Sequence, residues 1–407
     1  MTKKQNSRKS NWLLILGPGI ITAALVFGPS KMTITSKMGA DYSYNLLWVI
    51  VIAIFFMMVF TTMGARIGAQ NNDSLLTLIR LKFGKPVSLL IGIGVFLVAT
   101  SFQAGNSTGV AISISEASGT NPKIWIVVFN VIGIMLLFFR SFYKVLEKIM
   151  ITLVILMLFS FLTTAVLVQP NLTEMAKGLM PTIPTDSTGL IIAFIASCFS
   201  LVGAFYQSYL VQERKKLSIG NQPDGTERLS SRVGIIILGV MSAAVMICAA
   251  NVLHTQGIKV SSASAMGKAL EPLLGDYASH LFLIGLFGSS FSSLIGNAVL
   301  GGSLLGDTFG YSSSLNHRMV KVFISLVMIA GSFIALLFGN LPLELIVFAQ
   351  SITIFLVPFI GITMYLIGND KVMMKESVNS KVTKIWGALG LLLVIGLAIS
   401  NFINLIN

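Results

Sequence analysis

Charge is scarce in this chain, and negative charge is the scarcest. Charged residues make up 11% of its 407 residues, with 15 Asp and Glu against 28 Lys and Arg. Hydrophobic residues make up 55% and the mean hydropathy is +0.86, which is more apolar surface than a soluble domain can bury. The two cysteines and three histidines show no disulfide framework and no metal-type spacing. These shortages predict an all-α integral membrane protein without a cofactor.

Long runs without any charged residue divide the chain into candidate membrane spans. About 20 apolar residues cross a bilayer as a helix, so the eleven runs predict 11 transmembrane helices in one membrane domain, 1–407. The runs are 10–30, 44–65, 86–115, 124–139, 149–173, 187–212, 233–258, 277–306, 322–343, 345–369 and 385–407. The lipid bilayer is therefore the expected surrounding.

The positive charge reflects topology and not nucleic-acid binding. If the N-terminal tail 1–9 is cytoplasmic, 22 of the 28 basic residues fall in cytoplasmic segments and only four in external loops. This asymmetry satisfies the positive-inside rule. We expect a multi-pass plasma-membrane protein with the N-terminus cytoplasmic and the C-terminus extracellular.

The first span carries the most informative feature, a Gly28-Pro29-Ser30 interruption followed at once by Lys31. Proline removes a backbone donor and glycine loosens the helix, so a break is predicted at residues 27–31. Secondary transporters bind their substrates at such broken helices. An ionisable residue inside a span is a functional-site hypothesis by default, which makes Lys31 the first candidate.

Several segments together resemble the Nramp family of proton-coupled divalent-metal transporters. Residues 28–48, GPSKMTITSKMGADYSYNLLW, align without gaps with the family's DPGNWATDIAGGAQYGYSLLW. Further similarities are Ala65-Arg66-Ile67-Gly68 to its ARLG, and 347–359, VFAQSITIFLVPF, to its tenth-helix pattern VLSQVVLSLQLPF. The resemblance implies a LeuT-type fold with discontinuous helices 1 and 6. It implies an inverted five-plus-five repeat, 10–168 and 187–369, with an extra C-terminal helix at 383–407.

The resemblance does not carry over the family's metal ligands. The Asp and Asn of DPGN correspond to Gly28 and Lys31, and the helix-6 motif MPH corresponds to Ser200-Leu201-Val202. A later helix-6 His corresponds to Gln207, and the acidic pair of helix 3 falls near Phe102 and Gly105. Because a divalent cation needs oxygen, nitrogen or sulfur ligands without a neighbouring ammonium, we expect no metal site and neither binding nor transport of Mn²⁺.

The substrate-binding candidates lie around the two predicted breaks and on the eighth and tenth spans. They are Gly28, Ser30, Lys31, Ser200, Gly203, Gln207, Asn297 and Gln350. Lys31 has three interpretations. It binds an anion together with positive helix ends, it acts as a built-in cation that bonds free carbonyls, or it snorkels to the outer surface.

These residues predict a secondary transporter and not an enzyme, moving a small anion such as bicarbonate or a small carboxylate by alternating access. The alternatives are a residual carrier of divalent Mn, Fe or Mg, a zwitterion or amino-acid transporter with Lys31 as built-in cation, and a non-transporting membrane sensor or scaffold. The partners are a small-molecule or ion substrate and a coupling ion, proton or sodium, with no nucleic acid. A transporter should have a cavity at Lys31, whereas a scaffold would have it filled by side chains.

Overall fold

The protein is described by a computed structural model that covers residues 17–139, 142–198, 201–216, 226–258, 276–312, 314–338 and 343–406. All regular secondary structure in these ranges is helical. Numbered in chain order, the helices are α1 (Gly17–Val26), α2 (Pro29–Tyr42), α3 (Leu47–Gln70), α4 (Leu75–Phe83), α5 (Lys85–Ser118), α6 (Pro122–Leu136), α7 (Phe142–Leu167), α8 (Leu172–Lys177), α9 (Thr188–Cys198), α10 (Leu201–Lys216), α11 (Thr226–Ala249), α12 (Asp276–Thr308), α13 (Arg318–Phe338), α14 (Leu343–Gly368), α15 (Lys371–Met374) and α16 (Lys381–Ile406). A π-helical turn, Ala250–His254, extends α11, and a 3₁₀ turn, Lys375–Ser377, follows α15.

The all-α membrane architecture expected from the sequence is present. Within the described ranges, eight spans are long and apolar enough to cross a membrane, or up to nine when α14 is counted with the turn that bends from it by 67°. The first span is divided into two short helices, and α6, at 15 residues, is short for a crossing. The count of eleven, the repeat limits and the orientation of the termini stay predictions.

The first span is broken where the sequence predicts. Helix α1 ends at Val26, and α2 begins at Pro29, where the missing N–H costs no helical hydrogen bond. Gly28 precedes it in an extended conformation, with φ −95° and ψ 175°. The gap is narrower than the predicted 27–31, because Ser30 and Lys31 already belong to the first turn of α2.

Serine hydroxyls satisfy the carbonyl groups that the break leaves at the end of α1. All three donors lie on one helix, α12, within a run of four serines around one phenylalanine. Ser289 donates to the carbonyl oxygen of Phe27 at 2.7 Å, Ser292 and Ser293 donate to that of Ala24 at 3.1 Å, and Ser293 also donates to that of Leu25 at 3.1 Å. In hydrocarbon, carbonyls without such partners would each cost several kcal/mol.

The sixth span, where the second break is predicted, contains two helices in the described part of the chain. Helix α9 ends at Cys198 and α10 begins at Leu201, while residues 199 and 200 lie outside the described part of the chain. Gly203, a candidate beside this predicted break, lies within helical α10. Unwinding of this span therefore stays a prediction.

Glycines allow the inner helices to approach at backbone distance. A Cβ atom at Gly234 of α11 would lie 2.0 Å from the carbonyl oxygen of Gly19 in α1. On α3, Gly64 and Gly68 are four residues apart, and a Cβ at either would lie 2.1 or 2.2 Å from a carbonyl oxygen of α10. Small residues at this spacing are what membrane helices use for close packing.

The contact between α1 and α11 predicts the effect of one methyl group. Gly234→Ala should lower the thermal unfolding temperature in detergent, because overpacking against backbone costs about 1–3 kcal/mol. Gly396→Ala is the matched control, since a Cβ there meets no atom within 4 Å and alanine favours a helix. Equal unfolding temperatures for the two variants would contradict this packing.

Candidate functional site

A small cavity of about 50 Å³ lies beside the break in the first span. That volume suits a small ion or a few water molecules. Its walls come from α1, α2, α5, α9, α10, α12, α14 and the residues between α1 and α2. They are Leu25, Val26, Gly28, Ser30, Lys31, Val98, Ala99, Phe102, Asn106, Ala196, Ser197, Val202, Asn297, Leu300 and Thr353.

Lys31 is buried at this cavity, with 1% of its surface exposed. Its Nζ lies 5.5 Å from the centre of the Phe194 ring of α9, within reach of a cation–π attraction. It occupies the first turn of α2, where the helix dipole is positive. The snorkelling interpretation is therefore wrong, because the side chain does not reach the surface.

Asn106 of α5 contributes a second hydrogen-bond donor. It is 2% exposed and lines the cavity, and no described residue accepts a hydrogen bond from its Nδ2. Buried amide groups are costly to leave without a partner. A ligand with acceptor oxygens in the cavity would satisfy this donor.

Negative groups are missing from this cavity as far as the structure describes it. Its polar lining consists of hydroxyls, two amides and one ammonium, contributed by Ser30, Ser197, Thr353, Asn106, Asn297 and Lys31. The described residues also contain no cluster of three or more His, Cys, Asp or Glu side chains that could hold a metal ion. The position expected for a family acid, Phe102, forms an apolar wall.

Four of the predicted site residues meet at the cavity. Gly28, Ser30, Lys31 and Asn297 all line it. A Cβ at Gly28 would lie 2.9 Å from Ser293 Oγ, so a larger residue there would have to displace that hydroxyl. The structure thus brings together the candidates from the first break and from α12.

Two further candidates lie elsewhere. Gln207 is fully buried, donates from Nε2 to Ser231 Oγ at 3.0 Å, and accepts from the Thr22 hydroxyl. It therefore ties α10 to α1 and α11 and does not line the cavity. Gly203 lies against α1, since a Cβ there would be 2.8 Å from Val26 Cγ2.

The last two candidates are Ser200 and Gln350. Ser200 lies outside the described residues. Gln350 falls within helix α14, but its side chain is not among those described. Their roles stay predictions.

Sequence reasoning missed Ser197, Thr353 and the role of the α12 serines as hydrogen-bond donors to the end of α1. A signal for the capping serines exists at 289–293, Ser-Ser-Phe-Ser-Ser, since four hydroxyls in one turn of a span are unusual polar content for a membrane helix. The pattern could have indicated hydrogen bonding to a broken neighbour. It does not say which helix is the neighbour.

Buried carboxyl groups at the predicted cytoplasmic ends were also missed. Glu147 of α7 pairs with Arg214 of α10 at 3.5 Å, and both side chains are buried. Tyr209 donates to Asp307 Oδ2 at 2.6 Å, and Arg80 donates to the Asp307 carbonyl oxygen at 3.2 Å. Defining spans by charge-free runs placed these acids outside the membrane, whereas packing buries them.

Comparison with known proteins supplies the wider context. The family model "Natural resistance-associated macrophage protein-like" (Nramp) matches residues 19–404. The divalent metal cation transporter MntH of Yersinia pestis (strain Pestoides F) is 23% identical over 403 residues, which cover 97% of this chain and 96% of that protein.

Solved structures show the same fold. The Eremococcus coleocola manganese transporter, in complex with an aromatic bis-isothiourea compound, superposes with a TM-score of 0.76 at 20% identity, covering 99% of this chain and 88% of its own. MhsT in complex with L-phenylalanine superposes with a TM-score of 0.64 at 13% identity, covering 96% of this chain and 99% of its own. The predicted LeuT-type fold is confirmed, and these relatives are transporters and not enzymes. With a family model that spans nearly its whole length and matching transporter folds, this chain belongs to the Nramp family.

Proposed function

We propose that this chain is a secondary active transporter that holds a small ion at the break in its first span and moves it by alternating access. The observation that carries the proposal is the polar cavity at the junction of α1 and α2, which Lys31, Asn106 and Asn297 line. Broken helices with a site between the halves are how secondary transporters bind ions and small substrates. A cavity at Lys31 favours a transporter over a scaffold.

The relatives support a divalent metal ion as cargo. The matching proteins are a divalent metal cation transporter and a manganese transporter, so on this ground the metal alternative is better supported than the anion. Amide and carbonyl oxygens, such as those of Asn106 and Asn297, are ligands that hard cations accept. A dication about 4 Å from the Lys31 ammonium would, however, be repelled by roughly 8 kcal/mol at an effective dielectric constant of about 20.

The charges of the site support a small anion instead. The Lys31 ammonium, the Asn106 amide and the positive end of α2 all present hydrogen-bond donors or positive charge to the cavity. Helix N-termini with a neighbouring cation are a recurrent way to bind carboxylates and similar anions. The cavity volume of about 50 Å³ suits bicarbonate or a small carboxylate.

The built-in-cation interpretation has weaker support. It has Lys31 bond carbonyl groups released at the C-terminal ends of the inner and outer half-helices, of which the end of α1 is one. Those of Ala24, Leu25 and Phe27 already accept hydrogen bonds from serine hydroxyls. A zwitterionic substrate is therefore the third choice, after the metal ion of the relatives and the anion that the site's donors favour.

Removing the charge of Lys31 tests which cargo is correct. If the cargo is an anion, Lys31→Gln should reduce bicarbonate or acetate uptake into proteoliposomes about tenfold or more, because charge-assisted hydrogen bonds contribute about 1.5–3 kcal/mol. Lys37→Gln is the matched control, since Lys37 lies on the same helix, half-buried, and pairs with Asp41 at 2.8 Å. Anion uptake that persists in Lys31→Gln would contradict the anion proposal.

Direct binding of Mn²⁺ provides an independent test. We expect no saturable micromolar binding to the wild-type chain by calorimetry, because the ammonium of Lys31 lines the cavity. The Eremococcus coleocola manganese transporter under the same conditions serves as positive control. Saturable Mn²⁺ binding here, strengthened in Lys31→Gln, would establish the cargo of the relatives and reject the anion.

The coupling ion, proton or sodium, stays a prediction. Asp307, hydrogen-bonded by Tyr209 of the sixth span, is a buried carboxyl group in a position to bind a proton. Proton coupling predicts that Asp307→Asn abolishes the response of uptake to an imposed pH gradient. The exposed Glu174→Gln, which removes only a surface ion pair with Lys177, should leave that response intact. A response to a sodium gradient alone would exclude the proton.

A further inference from the structure

A second groove, of about 250 Å³, lies on the outer surface of the bundle, away from the cavity. Three helices form it, namely α3 from Phe55 to Arg66 and the first turns of α11 and α16. Its lining residues are Phe55, Met58, Val59, Thr62, Arg66, Arg232, Val382, Thr383 and Trp386. We call it the arginine groove.

One half of the arginine groove is apolar and faces outward. Phe55, Trp386 and Val382 are 38%, 40% and 64% exposed. The Phe55 and Trp386 rings pack edge to face at 4.8 Å between centroids. In a membrane chain, apolar side chains exposed on the outer surface of the bundle contact acyl chains.

The other half is cationic. Arg66 is buried and is held by the side chain of Asn379 and the carbonyl oxygen of Ser377, but no described residue accepts a hydrogen bond from its Nε. Arg232 is exposed on the opposite wall. Arg228 and Glu227 act electrostatically on Arg66 with opposite signs, and the described lining of the groove holds two arginines and no acidic side chain. The site has an excess of positive charge and a buried donor in need of an acceptor.

The spacing of the two halves matches a phospholipid. Phe55 and Arg66 are eleven residues apart on one helix, which corresponds to roughly 16 Å along its axis. Half of a bilayer's hydrocarbon core is about 15 Å thick. An anionic headgroup at the arginines would therefore lay its acyl chain along Val59, Phe55 and Trp386. A soluble phosphate would use only the arginines and leave the apolar half without a role.

We propose that the arginine groove binds one anionic phospholipid, with its phosphate between Arg66 and Arg232. Guanidinium groups bind phosphate by paired, charge-assisted hydrogen bonds. Basic pockets between transmembrane helices on the cytoplasmic side are known sites for anionic headgroups, and the positive-inside rule places this end of α3 there. The bound lipid joins α16 to α3 and α11.

Native mass spectrometry of the purified full-length chain tests the proposal. Phosphatidylglycerol is titrated against phosphatidylcholine with the same acyl chains. We expect one phosphatidylglycerol molecule to bind in preference to phosphatidylcholine. Arg232→Gln should weaken that binding about fivefold, the effect of one basic residue near anionic lipid. Arg318→Gln is the matched control, because Arg318 is exposed at the start of α13 and does not line the groove.

Three results would overturn the proposed phospholipid site, and a further variant would support it. An equal loss in Arg318→Gln would show diffuse surface attraction and overturn the site, as would equal binding of both lipids. Displacement by soluble glycerol phosphate at equal concentration would assign the site to a free phosphate and also overturn the proposal. Trp386→Ala should weaken phosphatidylglycerol binding while Trp125→Ala does not, which supports contact with the acyl chain. Unfolding temperatures confirm that each variant is folded.

Discussion

Hydrogen bonding at the end of α1 is the constraint on which the site depends. A helix broken inside a membrane leaves carbonyl groups without partners, and water is not present to replace them. The serines of α12 supply the missing donors for Ala24, Leu25 and Phe27. Because these hydroxyls fix α12 against the break, Asn297, two turns further along the same helix, reaches the cavity. The same helix therefore satisfies the broken end of α1 and contributes a residue to the cavity.

Family membership and the charge of the cavity point to different cargoes. Membership of the family argues for a metal ion, whereas the lining of the cavity presents an ammonium and amide donors. The same backbone supports either cargo, since a broken helix offers carbonyls from one half and N–H groups from the other. Here serine hydroxyls engage most of these carbonyls. The N–H groups of α2 and the Lys31 ammonium therefore set the charge that the cavity presents to a cargo. A fold shared with a metal carrier does not by itself determine the ion.

Local chemistry made part of this site predictable from the sequence. Gly28 and Pro29 specify a break by their own backbone properties, and Ser30 and Lys31 follow from it. Residues on other helices were predictable only when their polarity was unusual for a span, as for Asn297. The sequence did not reveal that Gln207 contacts α1 and α11 and not the cavity, because the face that α10 presents to α1 depends on packing. Gly64 and Gly68 influence that packing through their contacts with α10. The burial of Asp307 and Glu147 also depends on neighbouring helices that a single sequence does not reveal.

The position of Lys31 on α2, and not on α1, has an electrical consequence. Alternating access in which the inner half-helix α1 moves and α2 stays in place would leave Lys31 on the half that does not move. The lysine's charge would then remain stationary in the transmembrane field during such a movement. Work against the membrane potential would be done only by the ions carried, at about 2.3 kcal/mol per unit charge per 100 mV. The steady-state transport current would accordingly carry only the charge of the cargo and the coupling ions, and no charge movement of Lys31 would add to it.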